Sequence, residues 1–137
     1  MSGQQRFGKH WLRVEADGII FLKYHGSLTL SEIQQLAELV APVAKEQPDV
    51  FMLFDVSEAT SIEPAARKFC MKWLSEGNFA GAANFGGALL ARTTGEMLMS
   101  ALRLLHKLVL PTTFVKTEAE GRAWIAEQRQ LRAARQR

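Results

Sequence analysis

Two carboxylates beside an apolar segment are the side chains of this sequence that could take part in acid-base chemistry. Asp55 directly follows the apolar run VFMLF, and Glu63 stands in the polar stretch behind it. Paired carboxylates act as general acid and base when one of them is forced to keep its proton. No catalytic partner accompanies them, so we favour simpler roles, in which they hold a loop and favour the positive end of the next helix. We therefore expect no catalytic residue and no enzyme.

The histidines and the single cysteine give no sign of a metal or a nucleophile. His10, His25 and His106 fall in a terminal arm, a strand end and a helix, without metal-ligand spacing. Cys70 borders the apolar stripe of a predicted helix, which favours a small buried hydrophobe over a reactive thiol. The glycines of FGGALL lack a P-loop lysine and a dinucleotide fingerprint. We predict no metal and no cofactor.

The first half of the chain predicts a hairpin and then a helix. Apolar and polar residues partly alternate on both sides of Asp17-Gly18, which favours a tight turn between Trp11–Ala16 and Ile19–Tyr24. Gly26 should break the second strand. Thr29 and Glu32 have capping-box spacing, so we predict a helix over Leu30–Glu46. Pro42 should end this helix early or kink it.

The middle of the chain predicts a buried strand, a loop and a second helix. VFMLF is too short for a helix and is typical of a central strand, which Asp55 should close. Pro64 suits the first position of a helix that stops near Gly77. The later elements are strands at Ala82–Phe85 and Thr113–Lys116, and helices behind capping boxes at Thr93/Glu96 and Thr117/Glu120.

The predicted order is β-β-α-β-α-β-α-β-α, which defines an α/β fold with a mixed sheet and helices packed against it. A chain of 137 residues suffices for one domain, so we predict a single domain over 1–137, with 1–10 and 129–137 as peripheral tails. One cysteine, no secretory h-region and no apolar run of about 18 residues favour a cytoplasmic protein without a transmembrane segment. Arg129, Arg132, Arg135 and Arg137 are interpreted as a solvated helix end rather than a nucleic-acid site, because no aromatic residue lies among them.

The strand that ends in DVS, followed by a loop and the helix of IEPAARKFCMKWL, resembles the STAS fold and its SpoIIAA-like group of small proteins. The closing KTEAEGRAWIAEQR is similar to that group as well, so the resemblance spans about Trp11 to Gln128. It implies a regulatory module that acts through protein partners.

The same resemblance implies that the familiar phosphorylation switch is absent. In anti-sigma-factor antagonists, a serine in an Asp-Ser-Ser-Gly tetrad accepts phosphate, and this tetrad falls on residues 63–66 here. Ala65 takes the place of the phosphoserine and has no hydroxyl to modify. Ser57, Thr60 and Ser61 lie nearby and carry hydroxyls, but we favour loop and capping roles for them. The candidate loop at the strand end contains Asp55, Ser57, Ser61 and Glu63.

The segment from Glu96 to Leu110 predicts a helix that is apolar around most of its circumference. One sheet cannot easily cover so wide an arc, so the helix needs a second partner. Packing within the monomer, a homodimer, a partner protein and a lipid-like ligand are the alternatives. The residues predicted to form this interaction helix are Met97, Leu98, Leu102, Leu105 and Val109.

Two function classes remain open at this point. The first is a non-catalytic interaction or regulatory module that self-associates as a homodimer or binds a protein partner. The alternative is a carrier or sensor of a small apolar ligand, held in a pocket between helix and sheet. A fold analogy alone does not decide between them.

Overall fold

The computed structural model describes residues 4–47, 49–77, 79–86 and 110–135. Within these ranges the chain forms six strands and three helices, in an order close to the predicted one. The strands are β1 (Gln4–Phe7), β2 (His10–Val14), β3 (Ile19–Leu28), β4 (Val50–Ile62), β5 (Phe79–Phe85) and β6 (Thr112–Val115); the helices are α1 (Leu30–Glu46), α2 (Pro64–Glu76) and α3 (Glu118–Arg135).

The strands form one mixed sheet in the order β1-β2-β3-β4-β5-β6. The first three are joined as antiparallel hairpins, and β3, β4, β5 and β6 run parallel to one another. The carboxyl ends of β3, β4 and β5 therefore meet at one edge of the sheet. This arrangement confirms the predicted α/β fold with a mixed sheet.

The helices cover both faces of the sheet. Helices α1 and α2 pack on the face that carries Leu22 and Met52, whereas α3 packs through Ile125 on the face that carries Phe21 and Leu53. Strand β4 is buried from Val50 to Phe54, as a central strand should be when helices lie on both sides. The predicted buried strand is therefore confirmed.

Helix α1 has the predicted limits and does not end early at Pro42. The Thr29 hydroxyl accepts a hydrogen bond from the Glu32 amide, and the Glu32 side chain accepts one from the Thr29 amide, so the capping box is complete. The helix continues through Pro42 to Glu46. Glu38, whose carbonyl loses its partner at Pro42, is exposed, and solvent can hydrate the freed carbonyl there.

The amino-terminal segment differs from the predicted peripheral tail. Residues 4–7 form strand β1, which pairs with β2, and the side chains of Phe7 and His10 are fully buried. The reason is that Phe7 supplies apolar surface to the main core beside Leu12 and Tyr24. The signal was a single aromatic residue followed by a glycine, too short to define a strand from sequence.

The carboxyl-terminal segment also differs from the predicted solvated helix end, because two of its arginines donate hydrogen bonds to aspartates in turns that precede strands. The Arg132 guanidinium donates to Asp49 Oδ1 at 2.7 and 3.1 Å, and Arg129 donates to the backbone carbonyl of Asp17. Asp17 precedes β3 and Asp49 precedes β4, so the end of α3 is fastened at the amino edge of these strands.

Strand β4 is longer than predicted, because the expected polar loop is itself a strand. Its residues 58–62 pair with 25–28 of β3 through two register shifts, one on either side of the His25-Gly26 pair. Half-buried Val56, Ala59 and Ile62 pack against the main core. The shifts break strict alternation, which hid the strand in the sequence.

No helix in the described ranges is long and apolar enough to cross a membrane.

Candidate functional site

The β4–α2 ridge is the exposed surface formed where β4 outlasts its neighbour β5. Strand β5 ends at Phe85, which pairs with Asp55, whereas β4 continues for seven further residues to Ile62 before α2 begins at Pro64. This places polar side chains beyond the sheet on an element fixed by pairing with β3. The exposed residues of the ridge are Ser57, Glu58, Thr60, Ser61, Glu63, Pro64 and Ala65.

Asp55 and Ser57 organise the base of the ridge. Asp55 Oδ1 accepts from the backbone amide of Ser57 at 3.0 Å and from its hydroxyl at 2.7 Å. Gly86, which follows β5, has a φ of +83°, and a Cβ there would lie 3.0 Å from the Ser57 Cβ. The Asp55 carboxylate thus satisfies the Ser57 amide just where β5 has ended.

A charged group from β3 joins the ridge at Glu58. Lys23 Nζ lies 3.0 Å from the Glu58 carboxylate and 3.7 Å from Asp55, and His25 Nε2 lies 3.6 Å from Glu58. The hydrogen bond between Lys23 and Glu58 raises the pKa of Lys23 and lowers the pKa of Glu58. The cluster therefore contains both positive and negative charge. Ser57 Oγ donates its hydrogen bond to Asp55 and not to a histidine, so among the described residues Ser57 lacks the partner base of a serine nucleophile.

Glu63 does not form an acid-base pair with Asp55. Its Oε1 accepts from the backbone amide of Leu30 at 2.9 Å, so it caps α1 from outside that helix. At the start of α2 it stands in the N-cap position without making a side-chain cap bond. Asp55 and Glu63 thus have separate hydrogen-bond partners, and the Glu63 side chain binds the start of α1 rather than the start of the helix that follows it, which differs from its predicted role. Ala65 lies exposed in the first turn of α2.

Cys70 does not have the environment of a nucleophile. Burial raises the pKa of its thiol to about 12, and the residue packs beside Phe69 and Trp73 at the main core. A protonated thiol is a poor nucleophile at neutral pH. Among the described residues there is also no group of three or more potential metal ligands.

A second polar cluster, which the sequence analysis did not find, is the amino-terminal latch of Lys9, His10, Thr29 and Glu32. His10 Nε2 lies 2.8 Å from Glu32 Oε1, and His10 Nδ1 accepts from the backbone amide of His25 at 2.9 Å. Lys9 Nζ lies 3.2 Å from Glu32 Oε2. A Cβ at Gly8, where φ is +67°, would collide with the Glu32 side chain. Only the capping box was visible in the sequence, because His10 and Glu32 are distant along the chain.

Burial and hydrogen bonding act in opposite directions in the latch. Burial of the Glu32 carboxylate raises its pKa, but hydrogen bonds from the Thr29 amide, His10 and Lys9 outweigh burial and lower it to about 2. Burial lowers the pKa of His10, against the attraction of Glu32. Glu32 is therefore ionised and His10 neutral at neutral pH.

The predicted capping box of Thr93 and Glu96 and all of the predicted interaction helix except Leu110 lie outside the described residues. This applies to Met97, Leu98, Leu102, Leu105 and Val109, so its role stays a prediction. The apolar pocket between helix and sheet, which belongs to the alternative function, likewise stays a prediction. A separate open groove lies between α1 and α2 and is lined by Gln34, Ala37, Glu38, Ala41, Phe69 and Trp73.

Comparison with solved structures identifies the fold. No protein-family model and no curated protein matches the chain. The crystal structure of an uncharacterised DUF3478-family protein with a SpoIIAA-like fold, from Shewanella loihica PV-4, matches with a TM-score of 0.61 and 16% identity, over 91% of this chain and 92% of that one. The unphosphorylated anti-sigma factor antagonist SpoIIAA matches with a TM-score of 0.60 and 9% identity, over 90% of this chain and 98% of that one.

These likenesses confirm the predicted STAS or SpoIIAA-like fold of this chain. At such low identities they concern the fold and not the activity. What the chain does must be argued from its own residues.

Proposed function

We propose that this protein is a non-catalytic regulatory module that binds a protein partner through the β4–α2 ridge. One observation carries the proposal: β4 outlasts β5 and presents exposed polar side chains on a rigid, paired strand that leads directly into α2. Binding residues are commonly placed this way, at the carboxyl edge of a sheet in an α/β fold.

The chemistry of the ridge supports protein binding over catalysis. Asp55 and Glu63 are engaged by different backbone groups, and the Cys70 thiol is held protonated. The ridge offers hydroxyls, carboxylates and the start of a helix to a partner. Since Ala65 occupies the place of the family phosphoserine, recognition here would not depend on a phosphate at that residue.

Site-specific crosslinking can test the ridge as a contact surface. A photoreactive amino acid at Ser61 should capture a partner in the cells of origin, and the same amino acid at Ala126 on the exposed side of α3 should not. The captured protein would then be purified and titrated against wild type, Ala65→Arg and Ala126→Arg. We expect Ala65→Arg to weaken binding at least about tenfold, as at the centre of an interface, and Ala126→Arg to leave it unchanged. Equal binding by all three proteins would refute the proposal.

Self-association is a separate part of the proposal, and its support is the sequence of Glu96–Leu110 alone. Leu102→Asp and Leu105→Asp should abolish self-association and leave a folded monomer. Leu131→Asp is the matched control, because Leu131 is an exposed leucine of α3 with 44% of its surface accessible. Light scattering measures the outcome; an unchanged oligomer mass in the first two variants would contradict it.

A carrier of a small apolar ligand is the second candidate, because Phe69 and Trp73 line the groove between α1 and α2. Native mass spectrometry of protein from its own organism would show a bound molecule directly. Ala41→Trp should then displace the molecule from the groove. A ligand-free spectrum would favour the interaction module.

A further inference from the structure

His10 is buried with both of its ring nitrogens engaged. None of its surface is accessible, and the rings of Phe7 and Tyr24 pack against it with centroids 5.2 and 5.5 Å away. Nδ1 accepts the His25 backbone N–H, so the neutral ring carries its proton on Nε2 and donates it to Glu32. The imidazole thus joins β2, β3 and α1 in a single tautomer.

We infer that the amino-terminal latch is acid-sensitive. When neutral His10 gains a proton at Nδ1, the contact between the start of β2, the end of β3 and the first turn of α1 opens. A proton added at Nδ1 would point a donor at the donor of His25, and one of the two groups must move away. The displaced ring can no longer hold Glu32 Oε1, the same atom that accepts the Thr29 amide. The cap of α1 is thereby coupled to the charge of His10.

The other charged and titratable groups around the ring limit the direction of this effect. On its own turn Lys9 repels the imidazolium, from β3 the His25 ring repels it when charged, and from α1 Glu32 attracts it. The ring of Tyr24 of β3 stands nearly perpendicular to the imidazole and adds no charge at neutral pH. The attraction of Glu32 does not provide an acceptor at Nδ1, so the donor clash remains after protonation.

The opening is local, because the flanking apolar side chains are also held by core contacts other than the histidine. Phe7 and Leu12 are fully buried in the main core, and β2 pairs with β3 over Trp11–Val14. We therefore place the acid-labile contact at Lys9–His10, His25 and the first turn of α1. The remainder of the β2–β3 ladder stays closed.

Residue-resolved hydrogen exchange tests the latch in the full chain, from about pH 7.5 to about pH 5. After correction for intrinsic exchange, protection of the His25 and Thr29 amides should fall by up to about tenfold per pH unit below the transition. Protection of the Ile20 and Leu22 amides should hold. Constant protection at His25 throughout this range would overturn the inference.

Two variants separate the titration of His10 from other acid effects. In His10→Asn, the side-chain carbonyl can accept from the His25 amide without titrating, so the acid step should vanish. In His25→Gln, the backbone donor is kept, so the step should remain. Persistence of the step in His10→Asn, or its loss in His25→Gln, would contradict the latch.

Nitrogen NMR of the wild-type imidazoles keeps the inference testable even where His10→Asn does not fold. At neutral pH, Nδ1 of His10 should resonate as an unprotonated nitrogen and Nε2 as a protonated one. Both should be protonated after the same transition that opens the His25 amide. A protonated Nδ1 at neutral pH, or a titration apart from the exchange step, would refute it.

Discussion

The β4–α2 ridge and the amino-terminal latch are built from the same kinds of side chain, yet they differ in exposure. In each, a lysine and a histidine of one segment lie beside a carboxylate of another: Glu32 in the latch and Glu58 in the ridge. In the latch, His10 is fully buried and the Glu32 side chain is 13% exposed, whereas the Glu58 side chain of the ridge is 56% exposed.

This difference decides which cluster contributes more to the stability of the fold. A buried polar group that loses its hydrogen bond keeps the cost of its desolvation, so removing one residue of the latch should lower the free energy of unfolding strongly. Exposed ion pairs contribute little because water and salt replace them readily. Charged residues of the ridge can therefore be replaced at little cost in the free energy of unfolding, whereas those of the latch must hydrogen-bond to one another.

Glu32→Ala should have the largest effect on stability. It leaves the buried Nε2–H of His10 and the Thr29 amide without their acceptor, at an expected cost of about 3–4 kcal/mol in the free energy of unfolding. Urea unfolding measures this change. Lys9→Ala is the control, since Lys9 is 44% exposed and its loss should cost less than about 1 kcal/mol. Equal effects of the two variants would remove the contrast between buried and exposed charge.

Acid should weaken the latch before it weakens the ridge. The folded pKa of Glu32 is about 2, below its ordinary value of 4.5, so its stabilisation is complete above about pH 5 and is lost as the pH falls toward 2. The loss amounts to about 3 kcal/mol. The lowered pKa of His10 acts with the same sign and begins below its ordinary value of 6.5.

Urea unfolding at a series of pH values measures this dependence, with Glu32→Gln as the comparison. The variant cannot titrate at residue 32, so its stability should fall less steeply between about pH 5 and about pH 2. Parallel curves for wild type and variant would show that Glu32 is not the group responsible.

Asp55→Ala should have a smaller effect, although Asp55 accepts two hydrogen bonds. Both come from half-exposed or exposed groups of Ser57 that water can reach, so the expected cost is about 1 kcal/mol. Ser57→Ala, which removes the hydroxyl alone, should cost less than about 0.5 kcal/mol. If Asp55→Ala lowered the free energy of unfolding as much as Glu32→Ala, the base of the ridge would contribute as much to stability as the latch.

Ala65→Glu should have the smallest effect, and in the stabilising direction. The first turn of α2 contains no acidic residue, and its N-cap side chain makes no cap bond. A carboxylate there should add about 0.5 kcal/mol through the helix dipole, and Ala65→Lys should remove a similar amount. Added salt should reduce both changes in thermal unfolding, which distinguishes a dipole effect from packing.

The elements that sequence reasoning predicted well are those controlled by local chemistry. The capping box of Thr29 and Glu32 defined the start of α1, Pro64 that of α2, and Asp17-Gly18 the hairpin turn. Each signal involves residues a few positions apart. Helix α1 does not end early at Pro42, because exposure, which is a tertiary property, decides whether the carbonyl freed by a proline is tolerated.

The elements that sequence reasoning missed depend on partners far along the chain. The outer half of β4 is a strand because β3 pairs with it, and the register shifts conceal the periodicity that would have revealed it. His10 looked like part of an arm because neither His25 nor Glu32 is near it in sequence. The stretch Asp55 to Ala65 was predicted as a strand end, a loop and a helix start, but a strand replaces the loop, and its role as a binding site stays a prediction.

The fastening of α3 has a practical consequence for measuring partner binding. Arg129 and Arg132 hold the last turns of α3 beside Asp17 and Asp49, at the amino edge of β3 and β4, whereas the ridge lies beyond their carboxyl edge. A linker joined behind Arg135 would anchor the protein to a sensor chip by the side remote from the ridge. The immobilised molecules would then share an orientation in which Ser61 and Ala65 face the flowing solution.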